Sequence, residues 1–400
     1  MRAGVQRGGG DVIDVLAIAP AAFTGVNRAV YRELVRRGWS VEIVIPTEMT
    51  FSGGGTRAPQ PATAQDPPLH LLAPTPGNKR LASFQGLWRL LEARRPRLVL
   101  LDGDPNSRTA VEAGAWARLR GARLVCQSCE NLTRRLVPSA RRAGWRGAAG
   151  SVVTGALGVL ARPNVDHVFV ISADGERVLR EQGYRRVSKI PLGFDPALFR
   201  PDPALREATR ARLGLTEVTV AYFGRVAESK GVHLLVAALG GLKHRPFQLL
   251  LDAFGTYREP YEERLTGLLT EHGLDDRVVR FDASHSEMPA YMNAADVVAL
   301  PSLSTPTWKE QYGRVAPEAM ACGCAVVAAR SGALPELVGD GGVIVPEGDV
   351  PALRAAIEAL MLDPARRQAL GVVAAARAHA QLDLTRQADL MERVFQDLLA

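Results

Sequence analysis

Cysteine, aromatic residues and long uncharged runs are scarce in this 400-residue sequence, and each scarcity excludes a class of protein. The four cysteines form Cys126-x-x-Cys129 and Cys322-x-Cys324, and we expect buried, reduced thiols rather than a zinc site or a disulfide scaffold. The longest uncharged stretch, residues 147–161, is shorter than the roughly 20 apolar residues that a membrane-spanning helix needs. The N-terminus has no apolar h-region, so we expect no signal peptide and a cytoplasmic location.

Motifs for several common ligands are also missing. The first predicted strand, residues 12–19, is followed by no Gly-x-Gly-x-x-Gly, which argues against a nicotinamide or flavin enzyme. No zinc-finger spacing and no alternation of aromatic and basic residues occur, so we expect no nucleic-acid partner. The net charge of +7 instead favours small or surface-bound anions such as nucleotide diphosphates or lipid headgroups.

Apolar strands alternate with helical segments along most of the chain, a pattern typical of parallel sheets covered by helices. A chain of 400 residues is too long for one core and suits two domains of roughly 150 to 200 residues each. The Pro-rich segment 193–203 predicts a hinge between them. We expect residues 52–68, a Gly/Pro-rich loop, to be too polar to pack.

The stretch around residues 297–329 predicts a strand, a loop, a helix and a second strand. Pro317 is tolerated only in the first turn of a helix, so the helix should begin near Arg314. Glu310 then lies in the loop ahead of the helix, and Glu318 lies on its second turn.

A helix N-terminus suits a phosphate, and an ionised carboxylate can accept two hydrogen bonds from a vicinal diol. One carboxylate on each side of such a helix end matches the order ribose, diphosphate, sugar in a nucleotide sugar. On spacing alone, Glu310 and Glu318 could equally be two unrelated surface acids on a solvated helix.

Several further sequence motifs follow Glu310 and Glu318 along the chain. Glu310, Glu318, the following Ala-Met-Ala-Cys-Gly, then 332–336 (Gly-Ala-Leu-Pro-Glu) and 341–346 (Gly-Gly-Val-Ile-Val-Pro) resemble the donor-site signature of glycosyltransferase family 4. The resemblance implies the GT-B fold, an α/β architecture of two Rossmann-like doubly wound parallel-sheet domains facing each other across a cleft. It also implies metal-independent transfer of a sugar from a nucleotide diphosphate donor to an acceptor hydroxyl, with retained configuration and no cofactor.

The same resemblance suggests domain boundaries. We expect a flexible leader (1–10), an acceptor-binding domain (11–192), a hinge (193–203), a donor-binding domain (204–380) and a helix returning to the first domain (381–400).

The family pattern also assigns donor-binding residues. Arg225 and Lys230 follow a predicted strand at 218–223 and match its diphosphate-binding cations, with Ser229 predicted to cap the next helix. Together they would stabilise the departing diphosphate, while Glu310 orients the transferred sugar and Glu318 binds the ribose. The predicted donor-binding set is Gly25, Gly224, Arg225, Lys230, Glu310, Gln311, Tyr312, Gly313 and Glu318.

The chain departs from the family at one catalytic position. Many members carry a histidine after the strand that we predict at 123–127, and none of the seven histidines lies there. Glu130 is the nearest candidate for that catalytic role, with a helix-capping acid as the alternative. Asp102 and Asp104 resemble the metal pair of the other large glycosyltransferase fold, but we expect a loop-capping or acceptor-facing role for them.

Residues 132–161 combine five arginines with an apolar run, a composition found in helices that lie on anionic membranes. We therefore expect a glycan or lipid-linked acceptor and contact with an anionic membrane at its inner face, with a buried helix and a solvated basic flank as the alternative. Two other functions stay open at this point: a non-transferring, epimerase-like enzyme of the same fold, and a catalytically silent nucleotide-binding scaffold. The arginines are Arg134, Arg135, Arg141, Arg142 and Arg146.

Overall fold

The computed structural model describes residues 12–50, 55–78, 80–133, 152–252 and 260–400. The chain divides into two units. The first unit comprises the described residues up to Val170, together with Gly175–Ile190 and Ala388–Ala400. The second unit comprises Ile171–Asp174 and Pro191–Gln387.

The first unit is built on a parallel sheet of seven strands. The strands of this sheet are β1 (Val15–Ile18), β2 (Val41–Pro46), β5 (Leu69–Leu72), β6 (Leu98–Asp102), β7 (Arg123–Ser128), β8 (His167–Val170) and β9 (Val187–Lys189). The strands β3 (Met49–Thr50) and β4 (Thr56–Arg57) form a separate antiparallel hairpin. The sheet order is β5-β2-β1-β6-β7-β8-β9, so the chain reverses direction across the sheet between β1 and β6. Such a switch point opens a ligand-binding crevice at the carboxyl ends of the strands.

Helices cover this sheet: α1 (Ala29–Arg36), α2 (Leu87–Arg94), α3 (Arg108–Arg120), α4 (residues 152–161) and α5 (Ala173–Glu181). The buried strand residues pack against them in apolar layers. No helix in the described ranges is both long enough and apolar enough to cross a membrane.

The second unit contains a parallel sheet of six strands in the order β12-β11-β10-β13-β14-β15. Its strands are β10 (Thr219–Tyr222), β11 (Gln248–Asp252), β12 (Val278–Phe281), β13 (Val297–Leu300), β14 (Ala325–Ala329) and β15 (Gly342–Val345). Its helices are α6 (Pro203–Leu213), α7 (Val232–Gly240), α8 (Pro260–His272), α9 (Met288–Ala294), α10 (Val315–Ala321), α11 (Leu334–Val338), α12 (Val350–Leu362) and α13 (Pro364–Gln381), and α14 (Leu384–Leu399) ends the chain.

The last helix, α14, packs in the first unit, as predicted. The ring of Phe395 lies edge-on to Trp39 with centroids 5.6 Å apart. The guanidinium of Arg37 pairs with Asp389 at 2.6 Å. This helix supplies part of the first unit's apolar core, which it shares with residues of β1 and β2.

We expected the loop at 52–68 to be too polar to pack, but its residues 60–66 pack around a buried arginine. Arg28 is fully buried, and its guanidinium donates to the carbonyl of Gln60 at 2.6 Å and to the carboxylate of Asp66 at 3.0 Å. The Asp66 side chain is itself fully enclosed. A buried guanidinium needs acceptors around it, and this polar loop provides them, which ties residues 60–66 to the turn between β1 and α1.

Two helices also differ from what the sequence predicts. The sequence pattern predicts one helix from Leu81 to Arg94, whereas α2 begins at Leu87, because an antiparallel bridge between Pro74 and Phe84 holds the preceding residues in a loop. Helix α6 was not predicted at all. Its sequence signal lay inside the predicted hinge, where the Asp202 carboxylate accepts the Leu205 N–H at 2.9 Å and Pro203 occupies the first turn.

Candidate functional site

Lys230 and the loop after β13 meet at the carboxyl edge of the second sheet. Lys230 ends a short 3-10 turn, Glu228–Lys230, and the carbonyl of Ser229 accepts the Leu303 N–H at 2.8 Å. Gly231 has φ +68°, and a Cβ there would lie 1.9 Å from the carbonyl oxygen of Pro301. Only glycine fits this approach, so the local backbone fixes Lys230 beside β13.

The ammonium of Lys230 donates to Oε2 of Glu310 at 2.6 Å. The hydroxyl of Ser302, which is buried, donates to the same oxygen at 2.9 Å. Glu310 is 7% exposed, so this carboxylate is held by a cation and a hydroxyl in a nearly water-free position.

The backbone of Glu310 is fixed as well. Its carbonyl accepts the Ala333 N–H at 3.2 Å. Gly332 has φ +50°, and a Cβ there would lie 1.8 Å from that same carbonyl oxygen. The turn after β14 therefore needs glycine in order to seat the Glu310 loop.

Ser229 does not cap the following helix, contrary to the prediction. Helix α7 begins at Val232 after the left-handed Gly231, and no side chain caps it through its N-cap residue. The His233 N–H, in the first turn, instead donates to the hydroxyl of Tyr261 at 3.1 Å. Because Gly231 approaches Pro301 closely, the N-cap lies two residues later than the sequence predicted, at Gly231 rather than Ser229.

Arg225 also follows β10. The hydroxyl of Tyr222 donates to its carbonyl at 2.7 Å, and Gly224 before it has φ +115°. The Arg225 side chain is exposed, and no carboxylate of the described residues pairs with its guanidinium. Its positive charge is therefore uncompensated within the described part of the second unit.

Helix α10 begins where the sequence predicted, with Pro317 in its first turn. Gly313 lies ahead of it with φ +80°, and a Cβ there would come 2.8 Å from the side chain of Leu334. Glu318 is buried on this helix, and its carboxylate lies 3.7 Å from the guanidinium of Arg314. Burial raises the pKa of Glu318 to about 7, and the nearby Arg314 opposes that shift.

The two residues between Glu310 and Gly313 differ in solvent exposure. Gln311 is exposed, whereas Tyr312 is 3% exposed. Burial raises the pKa of the Tyr312 hydroxyl well above its ordinary range. The side chain of Tyr312 is therefore shielded from solvent, whereas that of Gln311 is not.

Sequence reasoning missed two residues of this site. Ser302 lies two residues after the end of β13 and contacts Glu310, as described above. Trp308 lies two residues before Glu310, and its ring centroid is 4.9 Å from the ammonium of Lys230. The available signal was that both residues lie in the loop between β13 and Glu310, because loops held by a rigid sheet often carry functional residues.

In the first unit, Glu130 belongs to an ion-pair cluster at the carboxyl ends of β6 and β7. The Arg80 guanidinium pairs with the carboxylates of Asp104, at 2.5 Å, and Glu130. Asp104 also accepts the Asn106 N–H at 2.9 Å, which is the loop-capping role we expected. Burial raises the pKa of Asp102 to about 6. Across the described ranges, no group of three or more His, Cys, Asp or Glu side chains is arranged to hold a metal ion.

Gly25 and the basic segment complete the predicted residues. The Gly25 N–H donates to the side-chain oxygen of Gln60 at 2.5 Å, and its carbonyl accepts from Arg32 at 3.0 Å. Both backbone groups of Gly25 are thus engaged by the chain itself. The five arginines predicted to face a membrane lie outside the described residues.

The chain matches two families of known proteins. Residues 24–193 match the family described as glycosyl transferase 4-like domain, and residues 206–377 match glycosyl transferases group 1. Between them the two matches extend over most of both units.

Curated relatives agree with these families. A GDP-mannose-dependent alpha-(1-6)-phosphatidylinositol monomannoside mannosyltransferase of Mycolicibacterium smegmatis is 37% identical over 189 residues, which is 46% of this chain and 49% of that protein. A D-inositol 3-phosphate glycosyltransferase of Catenulispora acidiphila is 36% identical over 271 residues, covering 64% of this chain and 62% of the relative. The chain thus spans about half the length of the curated relatives it matches.

A solved structure supports the fold. HepE of Anabaena, in complex with UDP, superposes with a TM-score of 0.71 at 21% identity over 96% of this chain and 100% of that one. The predicted GT-B fold is therefore confirmed.

Proposed function

The two halves of the chain belong to the glycosyl transferase 4-like and group 1 families, and on that basis we propose that the protein transfers a sugar from a nucleotide diphosphate sugar to an acceptor hydroxyl. The transfer retains the anomeric configuration and moves a hexose. The second unit binds the donor.

The ion pair of Lys230 and Glu310 carries this proposal. Lys230 matches the family residue that binds the diphosphate, and Glu310 matches the one that binds the sugar. Their side chains lie 2.6 Å apart. In a nucleotide sugar the β-phosphate and the anomeric carbon are joined through one oxygen, so groups that bind them must themselves be neighbours. Donor binding divides the existing pair: the ammonium turns to the diphosphate, and the carboxylate accepts hydrogen bonds from sugar hydroxyls.

The reaction breaks the bond between the anomeric carbon and the diphosphate oxygen. Positive charge develops on the sugar and negative charge on the departing diphosphate. Lys230, Arg225 and the backbone ahead of α10, around Gly313, stabilise that negative charge. The acceptor oxygen attacks from the face that the diphosphate leaves, and its proton passes to a phosphate oxygen, which gives retention.

Two side-chain cations at the diphosphate supply the charge that a divalent metal provides in other transferases, so the proposed reaction needs no metal. We expect the protein to turn over at the same rate with and without EDTA. Gly224 and Glu318 complete the donor site, with Glu318 at the ribose. Gln311 and Tyr312 contribute through the backbone, because the Tyr312 side chain is buried.

The first unit binds the acceptor in this proposal. Glu130 is the candidate for the group that replaces the family histidine, and its ion pair with Arg80 fixes its carboxylate. Gly25 stays a candidate for a donor or acceptor contact.

We propose a lipid-linked or glycan acceptor, because one curated relative is named for a phosphatidylinositol mannoside acceptor. Helix α4 presents Val152, Val159 and Leu160 to solvent, each 59–60% exposed, which suits a surface lying on lipid. The protein then works in the cytoplasm at the inner face of the membrane. Sedimentation with vesicles, with and without anionic lipid, tests this: absence from both pellets at low salt ends the membrane proposal.

The activity is tested with a panel of UDP-, GDP- and ADP-sugars. Each is first scored by thermal shift and then by nucleotide diphosphate release with and without candidate acceptors. Acceptor-dependent release with one donor supports transfer. Release without any acceptor indicates a hydrolysing or epimerising enzyme, and binding without release indicates a silent scaffold.

A further inference from the structure

Trp308 contacts the cation of the proposed donor site, but the proposed function gives it no role. Its indole is partly buried, and the ammonium of Lys230 lies over the ring, 4.9 Å from the centroid. The same ammonium donates to Glu310 at 2.6 Å. Lys230 is thus held from two sides, by a carboxylate and by an aromatic face.

The backbone of Trp308 is held in a closed turn. Thr305 and Trp308 form an antiparallel bridge in which the Thr305 N–H donates to the Trp308 carbonyl at 2.6 Å. The Trp308 N–H returns a bond to the Thr305 carbonyl at 3.3 Å. This turn lies between β13 and Glu310, so the backbone that carries the indole is held next to Glu310.

The two contacts affect the ammonium differently. A carboxylate attracts a cation but also cancels its charge, so Glu310 competes with a diphosphate for Lys230. An aromatic face attracts a cation through its quadrupole and adds no formal negative charge. When Glu310 turns to the sugar, the indole can keep the ammonium in place with its full charge directed at the diphosphate.

We propose that Trp308 is a positioning residue for the proposed sugar transfer: its indole holds the Lys230 ammonium by a cation–π contact in the place where it binds the donor diphosphate. This inference rests on the proposed function, since it assigns Lys230 to the diphosphate. It predicts that the quadrupole of the indole ring, and not only the size of the ring, determines how strongly the diphosphate binds.

Fluorinated tryptophan provides the test, because each added fluorine weakens the ring quadrupole with little change of shape. The whole chain is expressed with mono-, di- or trifluorotryptophan, and two quantities are measured: the Kd of the nucleoside diphosphate, and kcat/KM for transfer with the donor found in the panel. Both should worsen stepwise with each fluorine. Trp308→Leu should lower kcat/KM by about 5- to 30-fold, and Trp308→Phe by less.

Two controls separate the contact from general damage. The chain has five tryptophans, so the Trp308→Phe protein carrying fluorotryptophan at the other four should show no dependence on fluorine. In a Lys230→Met background, Trp308→Leu should cause no further loss, because the cation is gone.

The outcomes are distinct. If kcat/KM and the diphosphate Kd are independent of fluorine in the otherwise wild-type chain, the indole only fills space and the inference is wrong, while the proposed function stands. If the unmodified protein neither binds a nucleoside diphosphate nor transfers any sugar, the proposed function fails and the inference falls with it.

Discussion

The ammonium of Lys230 and the carboxylate of Glu310 lie 2.6 Å apart, although 80 residues separate them in the sequence. Lys230 follows β10 and Glu310 follows β13, and these two strands are neighbours in the second sheet. Parallel strands end at the same edge, so the topology brings the two loops to one place. The close backbone approaches at Gly231 and Gly332 then seat the two residues within contact distance.

Replacing the cation should abolish most of the activity. Lys230→Met removes one preorganised charge from the leaving diphosphate, and we expect kcat to fall by at least about 100-fold. The exposed Lys243 of the same unit gives a matched control, since Lys243→Met loses equal charge and should transfer normally. Steady-state kinetics with the panel donor measures both, and near-normal turnover of Lys230→Met would remove this residue from the mechanism.

The acid should matter as much. Glu310→Gln keeps the size of the side chain but loses the charge that stabilises the sugar as its anomeric carbon becomes positive, so kcat should fall by at least about 100-fold. Glu271 is exposed on α8, and Glu271→Gln serves as its control. Comparable kcat values for Glu310→Gln and the control would contradict the role assigned to Glu310.

Glu318 should make stability depend on pH. Its pKa is raised from 4.5 to about 7 by burial, so the folded protein holds this proton more tightly than the unfolded chain does. The resulting stabilisation is complete below pH 4.5 and is lost as the pH rises through about 7, and it amounts to roughly 3 kcal/mol.

Denaturant unfolding between pH 4.5 and pH 8 measures this effect. Glu318→Gln cannot ionise, so the difference in unfolding free energy between variant and wild type should grow in favour of the variant as the pH rises. A difference that stays constant across this range would show that Glu318 titrates at its ordinary pKa.

Gly332 should tolerate no side chain, because its Cα packs against the carbonyl of Glu310. In Gly332→Ala the new Cβ meets the Glu310 carbonyl at 1.8 Å and the backbone has φ +50°, so the Glu310 loop must move. We expect lower transfer activity together with a lower unfolding temperature. Gly267 on α8 has no atom within 4 Å of its added Cβ, so Gly267→Ala should leave activity intact and stabilise the helix by about 0.5–1 kcal/mol.

Much of this site could be predicted from sequence because its residues lie at strand ends and helix starts, which short sequence patterns mark. Pro317 marks the first turn of α10, and the strand ends locate Arg225, Lys230 and Glu310 on one edge. The contact between Trp308 and Lys230 could not be predicted, since it depends on the exact path of two loops.

Other features depend on packing that no local pattern reveals. The helix start at Val232 is set by the approach of Gly231 to Pro301, a contact across 70 residues of sequence. The ordered loop at 60–66 is set by the single buried guanidinium of Arg28. In both places a long-range contact overrides the composition of the segment.

The affinity for donor ligands tests the central claim most directly, because it measures the contributions of Lys230 and Glu310 separately. Isothermal titration gives the Kd of a nucleoside diphosphate and of its sugar conjugate for the wild type, Lys230→Met and Glu310→Gln. Lys230→Met should weaken both ligands by about 10-fold or more, whereas Glu310→Gln should weaken only the sugar conjugate and leave the nucleoside diphosphate unchanged or tighter. Equal weakening of both ligands by both substitutions, or no binding of either ligand to the wild type, would contradict a site in which the cation binds the diphosphate and the acid binds the sugar.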